Sequence, residues 1–317
     1  MIAHVLRRLG GMLLTLAVAS ALIFGAMYAA PGDPVSFLVG DPENVTPERI
    51  AAVRAEYNLD QPLLVQYWLW LTGAVTGDLG TSFQYNAAVG DLILTRLPTT
   101  VSLVAYAAVL FTVLGIALGA LSAVRRGRRT DSAVTAGTTL AASIPSFVMA
   151  IALISLFGVR LGWFPVTGLG EGFIGRIHHL TLPAIALATG ALAIVSRVTR
   201  QTMVEQFDLE HVSASRASGV AERHVVRRHV LRNALGPVVT MCGLVTASML
   251  SGTVVIESAF GLSGIGALLV DAINNLDFPV VQAVLLCMVV AYMGVTTLID
   301  LVHPLLDPRV RLERNRV

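Results

Sequence analysis

The feature that most constrains this chain is its succession of long apolar runs. Stretches near the ~20 residues that a helix needs to cross a bilayer occur at 9–30, 99–124, 132–159, 181–196, 237–256 and 280–302. With a mean hydropathy of +0.74 and only 13% charged residues, the chain lies far from soluble domains, where roughly 25% is usual. Hydrocarbon satisfies no backbone polar group, so such runs must close their own hydrogen bonds as helices or barrels. The expected fold is an all-α integral membrane protein with six transmembrane helices. An external helical segment is expected between the first and second, and a polar helical element between the fourth and fifth. The boundaries fall at 1–30 for the N-terminus and first span, 31–97 for the external segment, 98–303 for the transmembrane core with its loop at 197–233, and 304–317 for a polar tail.

Within these runs Pro145 should kink the third span, because it lacks the N–H that an inner turn uses. The fourth run is short and has Pro183 near its start, and its polar end at Arg197 and Arg200 is expected to continue as helix. Gly115 and Gly119 form a small-xxx-small pair that lets another helix approach closely. The first run is longer than a signal peptide's roughly 7–15 apolar residues and is followed by no small-x-small cleavage site, so it is expected to be retained.

All 22 basic residues are arginine. Without lysine there is no Walker A lysine, Schiff-base lysine or Ser-Lys dyad, so any ATP used by this system binds another chain. Seventeen arginines fall on one side of the expected spans, at Arg7, Arg8, 125–129, 197–232 and 309–316, against five at Arg49, Arg54, Arg96, Arg160 and Arg176. The arginine excess places both termini and the loop at 197–233 in the cytoplasm. Cys242 and Cys287 lie in apolar runs and are expected to pack as small hydrophobes.

The external segment holds eight acidic residues against three arginines. Thr46, Pro47 and Glu48 signal a helix start, giving expected helices at 47–57 and 62–76. The second carries Leu63, Leu64, Tyr67, Trp68 and Leu71 at helical spacing, a face for packing or for the membrane interface. Glu257 ends the fifth span just before Phe260, where a carboxylate is costly unless it faces water or a partner. It suits either interfacial capping or the external mouth of a pathway that Phe260 would border, and Asp300 suits pairing near the interface. His178 and His179 are adjacent but have no third spaced ligand, which is weak evidence for metal. No metal or cofactor site is expected.

In the loop, 210–232 is expected to form one or two short helices broken near Gly219. Ala214, Ala217 and Gly219 offer a small-residue surface, ringed by arginines that supply charge-assisted contacts. Such a loop suits docking of another protein; it equally suits a topology signal that touches anionic lipid heads.

The order of short motifs resembles one family along nearly the whole chain: Ala30-Pro31-Gly32-Asp33-Pro34, Leu59-Asp60-Gln61-Pro62, Gly77-Asp78-Leu79-Gly80-Thr81-Ser82, Arg96-Leu97-Pro98, Ser143-Ile144-Pro145-Ser146-Phe147, Leu161-Gly162-Trp163-Phe164-Pro165-Val166, Ala214 to Gly219 ahead of Arg232-Asn233-Ala234-Leu235-Gly236-Pro237, and Leu305 to Arg311. It is similar to permease subunits of ATP-binding-cassette importers of the dipeptide, oligopeptide and nickel branch. The resemblance implies a second, homologous permease as a heterodimer partner, two cytoplasmic ATP-binding subunits carrying ATP and magnesium, and an external substrate-binding protein, in a bacterial inner membrane. It implies a non-catalytic chain and no nucleic acid. It also implies that His211, Ala214, Ser215, Arg216, Ala217, Gly219 and Glu222 contact an ATPase as a coupling helix, and that di- or oligopeptides are carried, with nickel or another small solute as the alternative. The chain departs from the family at the loop triplet, Ser213-Ala214-Ser215 in place of Glu-Ala-Ala, and at Ser218, where lysine is common.

Two other classes fit less well. An intramembrane enzyme needs paired aspartates, a Ser/His pair or a zinc motif, and neither His-Glu-x-x-His nor Gly-x-Ser-x-Gly is present. A gradient-driven transporter usually carries several charges within its spans, whereas these charges cluster in loops.

Overall fold

A computed structural model describes residues 2–29 and 60–306, with side chains over 10–27 and 60–299. The helix expected at 47–57, the side chain of Asp300 and the tail beyond 306 lie outside them. In chain order the helices are α1 (Ile2–Ala29), α2 (Leu63–Thr76), α3 (Val89–Val124), α4 (Arg129–Ser143), α5 (Ser146–Leu153), α6 (Gly172–Phe207), α7 (Glu210–Ala217), α8 (Glu222–His224), α9 (Arg232–Ala259), α10 (Ile265–Asn274) and α11 (Phe278–Leu306). Two π-helical turns, Ile154–Arg160 after α5 and Val225–Leu231 between α8 and α9, complete them. An isolated antiparallel bridge joins Thr81 to Ala88.

Among the described residues five helical stretches are long and apolar enough to cross a membrane, and the α4–α5 pair makes six if it counts as one span. That pair corrects the expectation of a kinked third span. Its two helices meet at 97°, a break and not a bend. Ile144 takes an extended conformation at φ −84°, ψ 121°, as the residue ahead of a proline is pushed to do, and α5 restarts directly after Pro145. The fourth span differs in the opposite sense. It is a single 36-residue helix that runs through Pro183, about 54 Å long against a hydrocarbon core of roughly 30 Å, so its polar ends stand clear.

The chain forms two compact units, one from residues up to Pro98 with Ser263–Met293, the other from Thr99–Leu262 with the chain from Gly294 onward. In the first, α2 packs on α1 through a hydrogen bond of 2.8 Å between the hydroxyls of Tyr67 and Ser20. Phe24 stacks edge-on against Tyr67, with ring centroids 5.4 Å apart. The apolar face expected on α2 therefore divides: Tyr67 turns to α1, while Leu64 and Trp68 are exposed, as suits lipid. Asp277, fully buried between α10 and α11, accepts hydrogen bonds from the Ser82 hydroxyl and from the amides of Phe83 and Gln84. This carboxylate pins the segment ahead of α3, and its amide and hydroxyl donors offset the cost of burying it.

In the second unit α6 is the central helix, packed on α9, α4 and α5. Its buried face includes Ala184, Ala186, Ala188, Ala191 and Ala193, small residues that let neighbours come close where lipid gives no hydrophobic drive to association. α3 also comes close to α6. A Cβ at Gly119 would lie 2.5 Å from the Ser196 carbonyl oxygen and 2.6 Å from Thr199 Cβ. Gly119→Ala is therefore expected to destabilise the protein by about 1–3 kcal/mol, although alanine is the better helix former by about 1 kcal/mol. Gly137→Ala, where nothing lies within 4 Å, is expected to be neutral or stabilising. Thermal unfolding of the two variants in detergent checks the pair.

Candidate functional site

The polar loop between α6 and α9 folds as the sequence suggests, into a helix, a glycine turn and a second helix. α7 ends at Ala217, and Gly219 follows at φ +75°. The Val220 amide reaches the Ser215 carbonyl at 3.2 Å and the Gly219 amide reaches that of Arg216 at 3.0 Å. These two bonds form a Schellman stop, which demands the left-handed conformation that glycine adopts without penalty.

Arg216 closes the turn from outside. Its Nη2 and Nε donate to the two Glu222 carboxylate oxygens at 2.6 and 3.1 Å, and its guanidinium lies over the Phe207 ring, 5.3 Å from the centroid. A fork-to-fork pair is directional as well as charge-assisted, so it fixes α7 against α8. The hydrogen bonds from Arg216 hold the Glu222 carboxyl below its ordinary range, and the same pair raises Arg216. Beneath the loop, Val212, Val225, Val230, Met203, Ala123 and Ala234 form a small closed core. Val212 is the one fully buried residue of α7. His211, Ala214 and Ala217 stay exposed, Ser215 is half-buried, and Gly219 and Glu222 are exposed. The seven residues named from the sequence thus share one braced element, with the small ones outward.

A second brace was not foreseen. Asp131, in the first turn of α4, is buried and receives Arg200 Nε and Nη2, each at 2.7 Å. It also accepts the Ser122 hydroxyl and the Gly127 amide, the latter at 2.9 Å. One carboxylate thereby ties the end of α3, the α3–α4 turn, α4 and the polar end of α6. Asp131 precedes the apolar run at 132–159 and Arg200 follows that at 181–196, so both lie outside the spanning segments. The hydrogen bonds from Arg200, followed by those from Ser122 and Gly127, hold the Asp131 carboxyl well below the usual carboxylate range, against the opposing effect of burial. The available signal was an aspartate standing directly after Arg125, Arg126, Arg128 and Arg129. Arg126 itself pairs with Asp208 at 3.3 Å, both exposed, a contact of small worth.

The other sequence candidates separate. Glu257 is fully buried inside α9 and accepts a 2.6 Å hydrogen bond from Thr100 on α3, so it does not cap a helix end at the interface. Phe260 is buried in the main core. His178 and His179 donate to backbone carbonyls of Trp163 and Thr167, each at 3.0 Å, and tie down the loop before α6. Among the described residues, no group of three His, Cys, Asp or Glu is placed to hold a metal ion.

Long apolar helices with a braced polar helix between two of them define a multi-pass membrane protein. The model of the binding-protein-dependent transport system inner membrane component matches residues 115–312, and that of the N-terminal part of such components matches 1–104. The chain belongs to this family. A putative peptide transport system permease of Brucella abortus is 36% identical over 99% of this chain and all of its own. The dipeptide transport system permease of Lactococcus lactis is 37% identical over 98% of this chain and all of its own. The glutathione transport system permease of Escherichia coli K12 is 35% identical, with 98% and 99% covered. The inward-facing MetNI methionine ABC transporter shares the fold, at a TM-score of 0.56 and 20% identity, covering 68% of this chain and 96% of that one. The chain is thus a permease subunit of an ATP-binding-cassette importer, a non-catalytic membrane component of a family that works with ATP-binding subunits and a substrate-binding protein.

The Asp131 brace sets a pH dependence. A carboxyl whose folded value is depressed contributes stability above its unfolded value, ordinarily near 3.8, and loses it as pH falls through the folded value. Asp131→Asn is expected to cost about 2–4 kcal/mol at pH 7, toward the lower figure because Arg200 is 34% exposed. The gap to the unmodified protein should hold from pH 7 to about 5 and narrow below about 4. Thermal unfolding of both proteins across that range measures it.

Proposed function

We propose that this permease, with a second homologous permease as heterodimer partner, lines the pathway by which di- or oligopeptides delivered by an external substrate-binding protein enter the cytoplasm. In this reading the chain crosses the bacterial inner membrane six times, the α4–α5 pair counting as one broken span. Both termini and α7 lie in the cytoplasm, in keeping with the arginine asymmetry. The peptide class is supported by the names of the Brucella and Lactococcus relatives.

The observation that carries the coupling role is the braced geometry of α7. It exposes His211, Ala214 and Ala217 while Val212, the Schellman turn and the Arg216–Glu222 pair tie it to α6 and α9. A helix so held transmits a push without yielding, and its small outward side chains admit a close partner. Seated in a groove of one ATPase, α7 is pulled as the ATPase pair closes and moves α6 and α9 together, which is the two-state lever that alternating access requires. Glu257 and Phe260 are assigned to the gate end of the same two-helix unit, where the Thr100–Glu257 bond links α3 to α9.

A Cβ at Gly219 would meet nothing within 4 Å, so a side chain there points at whatever docks. Gly219→Trp is expected to abolish labelled-dipeptide uptake and to reduce co-purification of the ATP-binding subunits at least about tenfold, adding a backbone strain of about 1 kcal/mol. Gly219→Asn, which tolerates the left-handed turn, separates that strain from occlusion. Full uptake with intact co-purification in Gly219→Trp would sink the lever.

A further inference from the structure

The π turn at Val225–Leu231 is unexplained by coupling alone. π-helical turns are rare and sit where a local need outweighs poorer hydrogen bonding. Here the turn changes which side chains share a face. From Arg223 to Arg232 is nine residues, two and a half turns of α-helix, which would put the two arginines on opposite sides. The wider i→i+5 winding brings Arg232 round toward Arg223 and gathers Arg227 and Arg228 on the same side. The result is an open groove of about 680 Å³ lined by Ala221, Arg223, His224, Arg227, Arg228 and Arg232.

Among the described residues no carboxylate pairs with any of these four arginines, whereas Arg126, Arg200 and Arg216 are all paired. Four exposed guanidiniums held on one face repel one another, and Val225 and Val230, buried beneath, keep them from spreading. Such a face is stabilised by a multivalent anion, and planar guanidinium forks match phosphate oxygens.

We propose that the groove binds the phosphate headgroup of an anionic phospholipid, with a two-phosphate lipid of the cardiolipin class fitting its four arginines best. A lipid is favoured by depth. Arg232 opens α9 and stands five residues before the apolar run at 237–256, about 7.5 Å of helix rise, which puts the near rim of the groove within reach of the headgroups, while Arg223 at the far rim stands further out. The inference rests on the π turn and the arginine placement, and does not require α7 to dock an ATPase.

The test uses the full-length chain purified in detergent, with tetraoleoyl cardiolipin, dioleoyl phosphatidylcholine and inorganic phosphate as probes, read by native mass spectrometry. One variant replaces Arg223, Arg227, Arg228 and Arg232 by Gln; a charge-matched control replaces Arg125, Arg126, Arg128 and Arg129. The milder Arg227→Gln/Arg228→Gln double variant, changing two exposed side chains, covers a failure of the first to fold. Cardiolipin retention is expected to fall about tenfold or more in the groove variant and about twofold or less in the control. Equal loss in both would reduce the effect to bulk charge and overturn the site. So would a lack of preference for cardiolipin over phosphatidylcholine in the unmodified chain. Inorganic phosphate displacing cardiolipin at comparable concentration would make the source soluble anion and overturn the lipid. Cardiolipin retention unchanged in both the fourfold and the double groove variant would also overturn the site.

Discussion

The Asp131 carboxylate is the joint on which the polar end of this protein depends. A buried charge is retained only where partners replace its lost hydration, and here the partners come from Arg200, Ser122 and Gly127, on three separate parts of the chain. Once they converge, the end of α6 is no longer a free helix terminus projecting from the bundle. It becomes a fixed post, and the loop core built on Met203 and Val212 begins one turn further along the same helix. Remove the joint and α7 would still fold locally, through its Schellman turn and the Arg216–Glu222 pair, but on a support that can tilt.

The loop's own charges are spent differently from what their number suggests. Arg216, which the sequence offered as a charge-assisted contact for a partner, is engaged by Glu222 and the Phe207 ring. Between the exposed Glu210, His211 and Arg216, α7 turns Ser213, Ala214 and Ala217 outward, and Gly219 follows in the turn. In the proposed docking, the small residues admit close approach while Arg216 is already engaged within the loop. In that docking a partner groove tolerates Ser213-Ala214-Ser215 in place of Glu-Ala-Ala, because the middle residue is the same alanine and the flanking serines are small.

The legible part of the fold was whatever periodicity and local chemistry control. Long apolar runs gave the spanning helices, and Gly115 and Gly119 marked a close helix contact. Gly219 broke the loop where expected, and Tyr67 and Trp68 lay on a helix. The illegible part depended on pairing at a distance or on backbone register. Asp131 and Arg200 are 69 residues apart, and nothing local says that an aspartate after four arginines will choose a fifth. Pro145 announced a disturbance without its size, since a proline kinks a helix whose neighbours re-satisfy the freed carbonyls and ends one otherwise. Pro183, by contrast, sits inside a continuous helix with its side chain buried, so the same residue type gave opposite outcomes in two packing environments.

The same contrast explains why Glu257 was hard to place. Position near the end of an apolar run suggested the interface, where water would solvate the carboxylate. The helix instead continues to Ala259, and the residue is sealed with Thr100 as a donor. Carboxylates buried in a membrane protein face the bundle interior and are held by polar partners, because lipid can supply none. Thr100 begins the part of α3 that belongs to the second unit, and Glu257 lies a turn before its boundary at Leu262. The hydrogen bond thus sits at the far end of α3, whose other end is braced by Asp131. α3 thus has a polar fixing at each end, to α9 through Glu257 and to α4 and α6 through Asp131, where small-residue contacts alone would set distance but resist sliding only weakly.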